Sequence, residues 1–171
     1  MKLLRYGQVG QEKPGLMDED DNIRDLSAHI GDISGDVLRP EGLEKIAALN
    51  VSDLPVVDGS PRFGACVGDI GKFMCIGLNY TDHAAESGMP VPDEPILFAK
   101  FNSAISGPND DVIMPRGSTK LDWEVEFGIV MGSKAKYIPE DQALEHVAGY
   151  CVINDVSERA YQLEGTGQWV K

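Results

Sequence analysis

Apolar residues in this chain come in short runs, broken every few positions by Gly, Pro, Asp or Asn. That punctuation predicts many brief strands and few helices. Residues 1–6 read as a strand, and a second strand-like piece surrounds Leu16 and Met17. Strand character resumes over 23–26, after the polar turn 18–22, so the start of the chain predicts a meander. Leu43, Ile46, Ala47 and Leu49 follow Pro40 at a spacing that suits one short amphipathic helix. Residues 54–59 close this module, expected to be a small β-rich domain over 1–65. The Gly-, Pro- and Asp-rich stretch 58–71 reads as a linker to a second domain over 66–171.

The second part opens with an apolar strand over 73–77. A polar segment, 78–88, reads as a loop entering one or two helical turns. Asn79 or Thr81 is its expected cap and Gly88-Met89-Pro90 its stop. Strands are expected over 95–100, briefly within 110–115, over 123–131 and over 150–156. Residues 139–147 give the strongest helix signal, with Glu140 and Asp141 in the first turn where the dipole favours them. Ser157 is placed to cap a last short helix containing Arg159 and Gln162. The whole predicts an α+β fold, mostly β.

The stretch 123–131 is the chemically informative one. It reads as a buried strand, yet it carries Glu124 and Glu126. Two residues apart in a strand, they share a face, with Trp123, Val125 and Phe127 on the other. Neighbouring acids repel, and desolvation raises the cost. Such a pair persists if both protonate, if basic groups neutralise them, or if a cation sits between them. The cation is the economical answer. An isolated Glu-x-Glu more often marks an edge strand facing water; here the apolar flanks and the downstream acid Asp155 shift the balance. Three carboxylates form an oxygen-only ligand set suited to Mg2+, Mn2+ or Ca2+.

Composition narrows the classes. A chain of 171 residues, 42% apolar, suits one domain with a small appendage and a real core. A net charge of −13 argues against nucleic acids and anionic membranes as partners. Cys66, Cys75 and Cys151 lack metal-type spacing and read as reduced core thiols. No secretory signal opens the chain and no apolar run is long enough to span a bilayer, so a cytoplasmic protein is expected.

Two further pairs suit chemistry. His83 and Glu86 are three apart, the spacing at which a helical carboxylate orients an imidazole as general base, although most such pairs are ordinary surface pairs. Arg159 and Gln162 repeat that spacing just past Asp155, where they can orient a substrate oxygen or simply line a solvated helix face.

Taken in order, Gly77-Leu78-Asn79-Tyr80 with His83 and Glu86, Asp122-Trp123-Glu124-Val125-Glu126, Asn154-Asp155-Val156, and Arg159-Ala160 with Gln162 resemble the fumarylacetoacetate hydrolase family over 73–171. The resemblance implies a layered, mixed-sheet fold, usually dimeric, with a divalent metal on Glu124, Glu126 and Asp155. It implies His83 and Glu86 as a water-activating dyad on a lid segment, and Arg159 and Gln162 as substrate contacts. The first module resembles the small N-terminal domain of bacterial members, and its opening looks like those described as 2,4-diketo-3-deoxy-sugar-acid hydrolases or ureidoglycolate lyases. Family members continue past this point with a catalytic lysine in a Gly-Lys-Ser-type motif and then a Thr-Gly-Thr-Pro segment. Lys171 is expected to precede that lysine, which leaves the C-terminal part of the fold outside this sequence. The expected reaction is metal-dependent hydrolysis of a carbon–carbon bond in a small β-diketo acid. Ureidoglycolate cleavage, 2-oxo acid decarboxylation and isomerisation are the alternatives on the same scaffold. A non-catalytic cation-binding module is the alternative outside enzymes.

Overall fold

The chain's turn residues divide it into nine strands, three short α-helices and four 3₁₀ segments. The structure is a computed structural model and describes residues 1–171. In order, its elements are β1 (Lys2–Tyr6), β2 (Lys13–Met17), β3 (Ile23–Asp25), α1 (Pro40–Ala47), β4 (Met74–Gly77), α2 (Thr81–Glu86), β5 (Ile96–Ala99), β6 (Leu121–Asp122), β7 (Val125–Met131), β8 (Val147–Asn154), β9 (Ser157–Glu158) and α3 (Arg159–Leu163). Strand exceeds helix, as the sequence predicts. The residues fall into two compact units, one comprising Met1–Asp69, Ser106–Val112 and Val125–Asp155, the other Ile70–Ile105, Ile113–Glu124 and Val156–Lys171.

In the first unit, β1, β2 and β3 form the expected antiparallel meander, with Leu3 opposite Leu16 and Leu16 opposite Arg24. The β2–β3 turn is built by Asp18, whose carboxylate accepts from the backbone N–H of Asp20 and Asn22 and pairs with Arg24 Nε at 2.7 Å. Pro40 starts α1 at a position where its missing N–H costs nothing. The helix turns Ile46 onto the sheet, and Leu16, Leu26, Ile46 and Leu54 make the core, flanked by Leu3, Ile30, Val37, Leu49 and Val51. Glu12, nearly buried, lies between two guanidinium groups. Arg62 Nη1 reaches it at 2.9 Å and Arg5 Nη2 at 3.7 Å, while Asp110 and Asp32 complete the charge balance.

The same unit holds the β7–β8 ribbon, paired antiparallel from Val125↔Asn154 to Met131↔Val147 with an irregularity at Val130/Met131. Two expectations fail here. The strand starts at Val125 rather than Trp123, because Leu121–Asp122 pairs with Ser157–Glu158 while Val125 pairs with Asn154. The two intervening residues belong to neither ladder. Nor is the strand buried on its apolar side. Val125, Phe127, Ile129 and Met131 are exposed, together with Tyr150 and Val152 of β8. The ribbon has two strands only, so nothing layers over that face. Phe127 and Tyr150, diagonal neighbours across it, stack with ring centres 5.1 Å apart. The acidic face is the less exposed one.

The expected helix at 139–147 is a 3₁₀ segment, Glu140–His146. Val147 and Ala148 belong to β8, and Leu144 is left in solvent. Without a face to bury, a short segment gains little from full α-helical form. Residues 110–115 form no strand.

In the second unit, β4 pairs with β5 and β6 with β9, both antiparallel. Tyr80, not Asn79 or Thr81, occupies the N-cap of α2, and no side chain caps it. Gly88 adopts φ +68° and ends that helix as expected. Trp169 packs edge-on against Phe98 and lies so close over Gly77 that no side chain fits there.

The core assignment makes a direct prediction. Leu26→Ala, at a site with no solvent exposure, will lower stability by about 2–5 kcal/mol in urea unfolding. Val152→Thr, 78% exposed, will stay within about 0.5 kcal/mol of the parent.

Candidate active site

Glu158 is the residue around which the β6–β9 region is built. It is 4% exposed. Its carboxylate accepts from the backbone N–H of Tyr161 at 2.8 Å and of Lys120 at 3.0 Å, and from the Ser118 hydroxyl at 3.1 Å. Glu158 thereby caps α3 and ties it to the strand β6. Ser157, expected as that cap, is instead a buried residue of β9 opposite Asp122. Burial works to raise the Glu158 carboxyl, but the bonds from Tyr161, Lys120 and Ser118 outweigh it and hold it below the ordinary glutamate value.

The next residue is Arg159, whose backbone N–H donates to Lys120 O at 2.9 Å. Its guanidinium is held from three sides. Nε and Nη2 meet Asp122 Oδ2 at 3.0 and 2.9 Å, Nη1 meets Glu124 Oε1 at 2.6 Å, and Nη1 also donates to Gln162 Oε1 at 2.8 Å. The geometry follows from the backbone. The ladder pairs Asp122 with Ser157, two residues before Arg159, and α3 places Gln162 one turn on. Partial burial opposes the charge on Arg159, but the bonds to Asp122 and Glu124 prevail and raise its pKa.

Of the three ways two adjacent acids can be tolerated, the structure displays the second for Glu124. A basic group neutralises it. Asp122, a site residue that sequence reasoning missed, is paired with the same guanidinium. The signal was present, since Asp122, Glu124 and Glu126 alternate with apolar residues. Glu158 left no comparable trace.

Glu126 sits on the less exposed face of β7, opposite Ile153 of β8. Val125↔Asn154 is the last pair of that ribbon. Glu124 immediately precedes β7 and Asp155 immediately follows β8, both partly buried. The donor chemistry of Glu124, Glu126 and Asp155 fits a hard divalent cation. Among the described residues, no group of three or more His, Cys, Asp or Glu side chains is set out to hold a metal ion.

His83 and Glu86 lie on α2, three residues apart as predicted, both exposed. The helix buries Ala84 between them. No hydrogen bond joins the imidazole to the Glu86 carboxylate; the backbone N–H of His83 donates to Asp82 Oδ1 at 2.9 Å. His146 has its own partner, Ser133 Oγ, 2.7 Å from Nδ1. No helix is long and apolar enough to cross a membrane.

The comparisons with known proteins include this part of the chain, and most extend over nearly all of it. The sequence profile for the fumarylacetoacetate (FAA) hydrolase C-terminal family matches residues 72–171. A provisionally named hydrolase of Burkholderia lata is 61% identical over all 171 residues, which cover 61% of its length. The chain thus spans about three-fifths of the curated relatives it matches. Among solved structures, a provisionally named HpcE protein from Mycobacterium smegmatis aligns with 97% of this chain and 58% of its own, at 34% identity and a TM-score of 0.75. Fumarylacetoacetate hydrolase from psychrophilic Exiguobacterium antarcticum aligns with 95% of this chain and 58% of its own, at 29% identity and a TM-score of 0.73.

The Glu158 environment predicts a pH signature. A carboxyl whose folded pKa is lowered stabilises the fold fully above its unfolded value, and that contribution is lost as pH falls through the folded value. The stability gap between the parent and Glu158→Gln will therefore be constant near neutrality. It will close as pH drops below the ordinary glutamate value of 4.5. Urea midpoints measured across that acid range check this.

Proposed function

The chain belongs to the fumarylacetoacetate hydrolase family, and we propose that it contributes the metal- and substrate-binding part of a hydrolase that cleaves a carbon–carbon bond in a small β-diketo acid of the acylpyruvate type. The observation that carries this reading is the Arg159 cluster. A guanidinium is pinned by Asp122 beside Glu124 and Gln162, inside the region that matches the family.

Glu124, Glu126 and Asp155 are the residues that would hold a divalent cation, Mg2+ or its relatives Mn2+ and Ca2+. Bound there, the ion supplies Lewis-acid polarisation of the substrate's oxo group. The protein's own groups do the rest. Arg159 keeps its charge at all working pH values, and Asp122 fixes its direction, so it is pre-aimed at developing negative charge. Gln162 extends the same donor surface. His83, on the exposed face of α2, takes a proton from the water that adds to the distal carbonyl. Glu86, one turn along, can meet the imidazole by a side-chain rotation and steady the imidazolium. When the carbon–carbon bond breaks, its electron pair leaves as the enolate of the 2-oxo acid. A homodimer working in the cytoplasm on a small oxo acid completes the reading.

The test is an assay of the native protein with Mg2+ or Mn2+ against a panel of acylpyruvates, ureidoglycolate, 2-oxo acids and dienols. Acylpyruvate cleavage will fall at least about 100-fold in kcat for His83→Ala, in line with loss of a general base. Turnover of only the ureidoglycolate, 2-oxo acid or dienol members, or undiminished activity in His83→Ala, would contradict the assignment.

A further inference from the structure

The β7–β8 ribbon leaves one face open to water, and that face has a composition of its own. The ladder pairs Phe127 with Val152 and Ile129 with Tyr150. Val125, Phe127, Ile129 and Met131 therefore stand on one side of the ribbon together with Tyr150 and Val152. Each of the six is between 53% and 78% exposed. The alternate residues, Glu126 among them, turn to the less exposed side. The open face carries no Asp, Glu, Lys or Arg, and Asn154 closes it at one end. Its middle is pre-arranged. Phe127 and Tyr150 stack with their rings 19° from parallel, so each has less rotamer freedom to lose on burial.

We propose that this face is the interface of a homodimer in which two copies of the ribbon pack face to face about a two-fold axis. The inference gives the homodimer of the proposed function its contact surface, and rests on that reading for the dimer alone, not for the chemistry. Six side chains exposed to this extent present roughly 600 Å² of largely apolar surface, near the upper limit of what a typical monomer leaves in water. Two such faces together bury on the order of 1,200 Å², the lower bound for a stable protein–protein contact. Aromatic and Met side chains without charge are also the composition of an interface centre. The occupant follows from charge. At a net −13, two copies repel over most of their surface, so contact is confined to a face that bears no charge. A second copy meets that requirement by symmetry, because it brings the same uncharged face. An axis near the middle of the ribbon puts the Phe127–Tyr150 pair of each copy at the centre, where aromatic anchors contribute most. The acidic side of the ribbon stays outside the contact, so the candidate ligand Glu126 is not covered.

The experiment is sedimentation velocity of the native protein over a range of concentrations, with hydroxyl-radical footprinting of the same samples read by mass. The expected result is a dimer that dissociates on dilution, with oxidation of Phe127, Met131 and Tyr150 rising as it does. Phe127→Lys will weaken the dimer by at least about 100-fold, and Tyr150→Lys will do the same, so the outcome does not rest on the folding of one variant. Val9→Lys, a control 75% exposed in the same unit but off the ribbon, will dimerise as the parent does. Added salt will leave the dimer as tight or tighter, since it screens the repulsion between two acidic copies. A native protein that stays monomeric would overturn both this inference and the homodimer. Footprinting then tells whether another part of the same chain covers the face, because the three side chains would be protected at every concentration. A dimer that survives both lysine variants would overturn the interface alone. None of these outcomes depends on the acylpyruvate assay.

Discussion

A guanidinium shared between two carboxylates is the constraint on which the candidate site rests. Asp122 and Glu124 stand on alternate positions of one short stretch, and both reach Arg159. Left unpaired, the partly buried Glu124 would carry a desolvation cost, whereas the more exposed Asp122 would carry little. Paired, they cost little and give Arg159 one orientation. That orientation depends in turn on Glu158, which fastens the chain on both sides of the arginine. A two-residue ladder would be weak by itself, and the buried carboxylate makes it definite. The sequence order Ser157-Glu158-Arg159 thus encodes a strand pair, a cap and a charged group in three consecutive residues.

Much of this was legible beforehand, for identifiable reasons. The meander β1–β3, the helix α1 and the strands β4 and β5 follow from apolar runs bounded by Gly, Pro and Asp, where local signals and tertiary packing agree. The family likeness was legible because its acids and amides keep a fixed order along the chain. The failures share one cause. Periodicity says which residues share a face but not what lies against it. The strand carrying Glu126 alternates as expected, yet its apolar side is exposed because the ribbon has only two strands. Residues 139–147 look helical until Val147 is claimed by β8. Glu158 escaped because its importance lies in long-range bonds to Lys120 and Ser118, which no local pattern announces; Asp122 shares the local alternation of Glu124 and Glu126, but its long-range pairing with Arg159 does not show there.

The arrangement also explains why charge alone is a poor guide to chemistry here. The protein carries an excess of acids, yet the most structured ones are neutralised internally. Glu12 sits between Arg5 and Arg62, Asp18 pairs with Arg24, and Glu124 pairs with Arg159. On the proposed metal assignment, a cation at Glu124 would compete with the guanidinium, and Asp122, which pairs with Arg159 independently, would keep it oriented.

The most direct measurement is a Mn2+ titration of the native protein followed by electron paramagnetic resonance, which reads bound ion without any turnover. The account predicts one tightly held ion, lost in Glu126→Gln and in Asp155→Asn, and retained in Asp122→Asn. Binding that survives unchanged in both Glu126→Gln and Asp155→Asn would contradict it.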